Sequence, residues 1–398
     1  MSGLTGLGTT YNLPNFHGEL IAISPSDTPL LSAAGGVGGG KSTDSTAFEW
    51  QTKDLRAPEI RARLEGADAP TPESRVRANV DNVVQIFHES VSTSYTKQAA
   101  TGQYSTRTSA PFTSNSGEAN PVQNEHASQV ADALRTIATD VNYTFWHGVK
   151  NRPTDNTTAR QSAGLLSVVT TNRIATGEFV AATTATDTVT AASNGLSNGD
   201  RVAFTSIGAA TGIRADRVYY VVSAAAGTFK VAATLGGAAI TLGTATVNYI
   251  KAATAVSVDN INALVQSVYD NGGIQQGGTA TMFVPSTQKV KISKAYADAY
   301  GKADPLAGRN VGGVAVEAIV TDFGTLNIAI DRALPADAVA LVSVEEIDPV
   351  FLNIPGKGVL FEEELAKTGA SEKTQIYGEI GLKWGNERAH GVLRGLAV

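Results

Sequence analysis

Residues 120–150 read NPVQNEHASQVADALRTIATDVNYTFWHGVK. Val130, Leu134, Ile137, Val141 and Phe145 recur at steps of four, three, four and four, with Ala127 one turn earlier. That spacing predicts an amphipathic helix with one buried face. Asn120 can cap it, Pro121 suits the first helical position, and Gln123 completes a capping-box spacing. At 1.5 Å per residue the helix would run to about 45 Å, a spine on which other elements can be laid. Gln129, Asp132, Arg135 and Asp140 break up any apolar run long enough to cross a bilayer.

Upstream of the spine, residues 1–45 read as an extended arm. Gly, Ser, Thr and Pro dominate it, and its short apolar patches at 20–23 and 29–31 cannot fold alone. Ile60, Ala62 and Leu64 then alternate with Arg61, Arg63 and Glu65, and Val76, Ala78 and Val80 alternate with Arg75, Arg77 and Asn79. The 66–72 stretch between them supplies turn residues. This predicts a long two-stranded hairpin, too poor in apolar surface to stand alone and suited to packing on a neighbouring subunit.

Downstream, residues 164–171 (GLLSVVTT) read as a buried strand. From about 174 to 254 composition shifts to Ala, Thr, Gly and Val, with short alternating runs at 188–191, 201–205, 218–222, 229–232 and 245–250. Asn198-Gly199-Asp200 and Ala226-Gly227 mark turns, so a small all-β module is expected here. Helical spacing returns with Ile261, Leu264, Val265 and Val268, for which Asp259 is the expected cap. Strands at 279–284, 314–321, 326–331, 338–344 and 376–384 follow, with a helix carrying Ile292, Tyr296 and Tyr300 among them. The class is α+β, with helices segregated from mainly antiparallel strands.

Composition excludes several functions. Net charge is −6 over 398 residues, which argues against gripping nucleic acid by counterion release. There is no cysteine, hence no disulfide and no thiolate chemistry. The first twenty residues lack the basic and apolar regions of a secretory signal, so a protein made and used in a reducing compartment is expected.

The run Gly35-Gly36-Val37-Gly38-Gly39-Gly40-Lys41-Ser42 satisfies the spacing of a phosphate-binding loop. Such a loop must follow a buried strand and open a helix; Ser24-Pro25-Ser26-Asp27 precedes this one and Thr43-Asp44-Ser45-Thr46 follows, so a glycine hinge is the better reading. His17, His88, His126, His147 and His390 make no metal spacing. The acidic runs at 345–348 and 362–364 have no positioned partner for acid–base work, and solvated faces are their usual fate. No catalytic, metal or cofactor site stands out.

The element order itself carries a resemblance. Arm, long hairpin, spine helix and α+β core, in that sequence, are similar to tailed-bacteriophage major capsid proteins of the Hong Kong 97 type fold. The matching segments are Thr10-Tyr11-Asn12-Leu13 and Ser24-Pro25-Ser26-Asp27-Thr28-Pro29-Leu30-Leu31 in the arm, Gly272-Gly273 and Pro285-Ser286, and Glu364-Leu365-Ala366-Lys367-Thr368-Gly369 through Gly381-Leu382. The resemblance implies an N-terminal arm at 1–45 and an E-loop hairpin with its flanks at 46–110. It implies the spine helix and first part of a peripheral domain at 111–173, an inserted all-β domain at 174–254, an axial domain at 255–312, and the remainder of both domains at 313–398. The implied function is self-assembly, through hexamers and pentamers, into an icosahedral head around double-stranded DNA. Scaffolding, portal and decoration proteins are the implied partners, with assembly in the host bacterial cytoplasm and no membrane.

Some members of that fold join subunits covalently, through a hairpin lysine and a neighbour's asparagine. From 54 to 80 this hairpin carries Arg56, Arg61, Arg63, Arg75 and Arg77 and no lysine. Guanidinium stays protonated and cannot be the amine nucleophile, so non-covalent pairing of Arg61, Arg63, Arg75 and Arg77 with a neighbour's Glu362, Glu363 and Glu364 is expected. Two other classes fit the residues less well: a nucleotide-binding enzyme using the Gly35–Ser42 loop, and a β-rich adhesion or carbohydrate-binding protein using the 174–254 segment.

Overall fold

The computed structural model describes residues 26–36, 40–53, 58–71, 77–99, 125–175, 178–192, 194–215, 217–252, 255–274, 279–300, 317–366 and 369–398. Their contacts divide the chain into two units, with chain crossings at 87/88, 137/138, 359/360 and 377/378.

The larger unit contains a six-stranded sheet in the order Ala318–Thr321, Gly324–Ile330, Thr279–Val284, Val339–Val342, Gly391–Arg394, Arg173–Ala175. Three of its ladders are antiparallel, and two are parallel, Thr279 with Thr325 and Val392 with Arg173. The helix Val258–Asp270 lays Ile261, Leu264, Val265 and Val268 on this sheet, against a core that includes Met282, Val284, Leu341 and Leu393. Its cap is Ser257, whose side chain accepts from the Asn260 amide, and Asp259 lies instead in the first turn. A hydroxyl two residues earlier holds the extended backbone that a cap needs.

The spine helix is Glu125–His147; its expected start at 120–124 lies outside the described residues. Val130, Ile137, Val141 and Phe145 are buried, but Leu134 is 39% exposed and Ala127 faces solvent while His126 is buried. In the larger unit the helix ends on a close crossing. The Gly164 amide donates to the Gly148 carbonyl at 2.9 Å, and a Cβ on Gly164 would lie 2.6 Å from the Thr144 carbonyl oxygen. Only glycine fits there.

Just past that crossing the expected strand at 164–171 is a one-turn helix, Leu165–Val168. The Ser167 hydroxyl donates to the Gly148 and Gly164 carbonyls, both at 2.8 Å, and holds the turn closed. A short apolar run carries no periodicity by which to separate these outcomes.

Residues 178–252 close into a barrel with the strand order Thr228–Ala232, Thr188–Thr190, Glu178–Ala185, Ala245–Ala252, Arg201–Ser206, Val218–Val222. Its interior is a separate apolar cluster that includes Val189, Val202, Phe204, Val221, Phe229, Val247 and Tyr249. The strand Glu178–Ala185 was not expected, because its Ala and Thr residues give too weak an alternation. Arg214 of the barrel lies with its guanidinium 4.7 Å over the Tyr143 ring of the spine helix.

Two further strand groups complete the described chain. Ala47–Thr52 pairs antiparallel with Ala78–Val83, Trp50 opposite Val80. Lys41–Thr43 runs parallel to Asp348–Leu352, which is antiparallel to Ser371–Lys383, and that long strand also pairs with Leu360–Glu364 and Gln85–Ser94.

In the smaller unit, His126 lies between Thr93 and Thr374, with ring-nitrogen to hydroxyl distances of 3.1 and 2.7 Å. The spine helix is thereby tied to two strands of its own unit. Nothing in the helical spacing marks His126 for that role, since its partners lie 33 and 248 residues away.

Candidate assembly surfaces

The hairpin is anchored at its base and bare at its tip. At the base, Trp50 Nε1 donates to the Gly385 carbonyl at 2.7 Å, and its ring meets Trp384 edge-on at 4.7 Å. Arg77 donates to Gln51 Oε1 across the pair of strands at 3.1 Å. Beyond the strands, residues 58–64 carry no regular structure, and a turn at Gly66 (φ +79°) closes when the Ala67 amide donates to the Leu64 carbonyl. The strand expected at 60–65 is not formed, and among the described residues its apolar side chains have nothing to cover. Ile60 is 98% exposed and Leu64 85%.

The loop satisfies its cations locally. Arg61 Nε lies 2.6 Å from Glu59 Oε1, and Arg63 donates to the Asp68 carbonyl at 3.1 Å. Glu59, Arg61, Ala62, Arg63, Pro70 and Thr71 border a cleft of about 420 Å³. Arg75 lies outside the described residues.

The acidic strand Leu360–Glu364 exposes Glu362 and Glu364 on one face, while Glu363 on the other accepts from Gln375 at 3.0 Å. Alternation along the strand therefore separates two glutamates available to solvent from one engaged within its own sheet.

The residues that follow the glycine-rich run do not open a helix. The run's residues 37–39 lie outside the described residues, but Lys41 sits in a strand rather than before a helix. Lys41 Nζ is 2.7 Å from Asp348 Oδ2, which also holds Lys383 at 3.0 Å. The Asp348 hydrogen bond raises the Lys41 ammonium above its ordinary pKa. Burial pushes the Asp348 carboxyl up, and the Lys41 and Lys383 hydrogen bonds outweigh this to hold it below the usual value.

The described histidines hold structural positions. His390 is buried, donates Nε2–H to the Trp384 carbonyl at 2.8 Å and accepts the Ser343 amide on Nδ1 at 3.3 Å. His147 contacts the Ala333 carbonyl through Nε2 at 2.7 Å. Among the described residues no group of three or more acidic, histidine or cysteine side chains is placed to hold a metal ion, and no helix is long and apolar enough to cross a membrane.

What the chain offers, then, is surface: an anchored hairpin with apolar side chains in water and a strand with exposed carboxylates. The model of the SU10 major capsid protein family matches residues 3–397. The chain belongs to that family. It is a bacteriophage major capsid protein, forming the icosahedral shell of the virion by association with copies of itself.

Its fold is that of a solved Cyanophage A-1(L) capsid asymmetric unit, at TM-score 0.57 and 11% identity, with 99% of each chain covered. The capsid of Myoviridae phage XM1 matches at TM-score 0.49 and 11% identity, over 98% of this chain and 99% of that one. Comparison with curated proteins gives no match.

Proposed function

We propose that this capsid protein is a non-enzymatic subunit whose hairpin laps a neighbouring copy, and that hexamers and pentamers so formed close the head around double-stranded DNA. In this reading 1–45 is an arm and 46–110 the E-loop hairpin. Residues 111–173 supply the spine and the first part of the peripheral domain, 174–254 an inserted domain, 255–312 the axial domain, and 313–398 the remainder. The observation that carries it is the family match over nearly the whole chain, joined to a hairpin tip that lacks a core of its own.

Scaffolding, portal and decoration proteins belong to the same reading, as does assembly in the host bacterial cytoplasm. Arg61, Arg63, Arg75 and Arg77 pair with Glu362, Glu363 and Glu364 of the next copy without covalent bonds. Arg61 does so by exchanging Glu59 for a neighbour's carboxylate, and Glu362 and Glu364 are exposed to receive it. Each exposed pair contributes only about 0.2–1 kcal/mol, but a shell repeats it at every subunit.

Negative-stain microscopy of the expressed chain tests assembly and should show closed shells. Arg61→Glu with Arg63→Glu should weaken them most at low salt, and denaturing gels of intact particles should show monomer only. A ladder of covalent oligomers would refute the non-covalent reading.

A further inference from the structure

Ile60 and Leu64 are the most exposed large apolar side chains among the described residues, at 98% and 85%. Neither belongs to the apolar cluster of the six-stranded sheet or to that of the barrel. The loop that carries them is nonetheless shaped. Gly66 turns it, the Ala67 amide closes on the Leu64 carbonyl, and Arg61 and Arg63 bind acceptors of the loop itself. Its cations are thus engaged at home while its two aliphatic chains stand in water.

We propose that Ile60 and Leu64 are apolar pegs by which the 58–71 loop docks on a second copy of this chain, the arginines serving as a polar rim. The proposal rests on the assembly reading above and names what holds that contact. Burial of a fully exposed isoleucine or leucine yields more than formation of an exposed ion pair, so the pegs outweigh the arginines. An apolar centre with a polar rim is also the usual anatomy of a protein interface. The occupant is a second copy because every loop in a closed shell of one chain faces the same complementary surface, present at equal number. Salt screens the rim but leaves peg burial intact, so docking persists at high ionic strength.

The chain has no cysteine, so Ile60→Cys and Leu64→Cys each introduce a single thiol into the full-length protein. Both side chains lie outside the chain's own cores, and the folded subunit should be unaffected. Maleimide labelling should be at least about tenfold slower in shells than in unassembled subunits, and should recover when the shells are dissociated. Ile60→Ser with Leu64→Ser should raise the concentration needed for assembly at low and high salt alike, whereas the arginine double variant should do so most at low salt. Equal labelling in shells and free subunits, or serine variants that assemble as the parent does, would overturn the pegs while leaving the assembly reading standing. Failure of the parent chain to form shells would overturn both.

Discussion

Lys41 Nζ lies 2.7 Å from Asp348 Oδ2 and shares that carboxylate with Lys383. The contact joins the strand that follows the glycine run to Asp348–Leu352, in parallel register from Lys41 opposite Val350 to Thr43 opposite Leu352. A lysine held in this way serves the sheet edge. Gly40 fits the same edge, since a Cβ there would overlap the Pro349 carbonyl.

Lys41→Ala should therefore cost about 0.2–1 kcal/mol, in keeping with its 60% side-chain exposure, and leave shells intact. Neither form should bind ATP or GTP in titration calorimetry; micromolar affinity that vanished with the lysine would restore the enzyme reading. The depressed Asp348 carboxyl binds its proton less readily in the folded chain than in the unfolded one. Its share of stability is thus present above the ordinary carboxylate pKa and is lost as pH falls through the lower folded value. In Asp348→Asn that acid-side loss should shrink, as followed by urea denaturation across pH.

His390 should make the folded subunit acid-sensitive at a milder pH. Burial lowers its pKa, and this outweighs the opposing effects of the Trp384 carbonyl, Glu346 and Glu387. The unfolded chain therefore takes up a proton before the folded one. Stability is full above about pH 6.5 and falls as pH drops below it toward the folded value. Protonating Nδ1 would also set an N–H against the Ser343 amide. Urea midpoints at pH 7.5 and 5.5 should differ more for the parent than for His390→Gln; equal differences would count against this role.

Gly164→Ala should damage the crossing at the end of the spine helix. Its Cβ would meet the Thr144 carbonyl and the Gly148 amide, both backbone atoms that cannot swing aside. A loss of about 1–3 kcal/mol is expected, as for other overpacking. Gly36→Ala has open space around its Cβ but a φ of +75°, so it should cost less. Thermal denaturation of the two variants provides the comparison.

The barrel should prove separable. It has its own core, and the strands and helix flanking it, Arg173–Ala175 and Val258–Asp270, are bound to the six-stranded sheet and its core. Replacing 176–252 with a Gly/Ser linker should retain assembly, since surface insertions are tolerated. Insoluble product across several linker lengths would make the barrel part of the host core. In the intact chain, Arg214→Ala should remove a cation–π contact of about 0.5–1 kcal/mol with Tyr143. Faster hydrogen exchange should then appear around 207–217, while the barrel strands keep their protection.

Periodicity along the chain determined a good deal by itself. The stripe Val130, Ile137, Val141 and Phe145 placed the spine helix, because 3.6-residue spacing on one buried face has no other realisation. The Ala/Thr/Val shift after 174 likewise pointed to short strands, five of which the barrel contains. The order of those elements along the chain was enough to indicate the capsid fold.

Tertiary structure decided what depends on residues distant in sequence. Whether 164–171 is a strand or a turn of helix rests on Gly148 meeting Gly164. Whether Lys41 cradles a phosphate rests on Asp348, some three hundred residues away. Ile60 and Leu64 alternate as a strand should, but strand pattern becomes strand only where a partner ladder and a surface to cover exist, and the described residues supply neither at the hairpin tip. Local spacing sets which face a side chain takes, whereas burial, pairing and charge compensation are properties of the neighbours that folding brings.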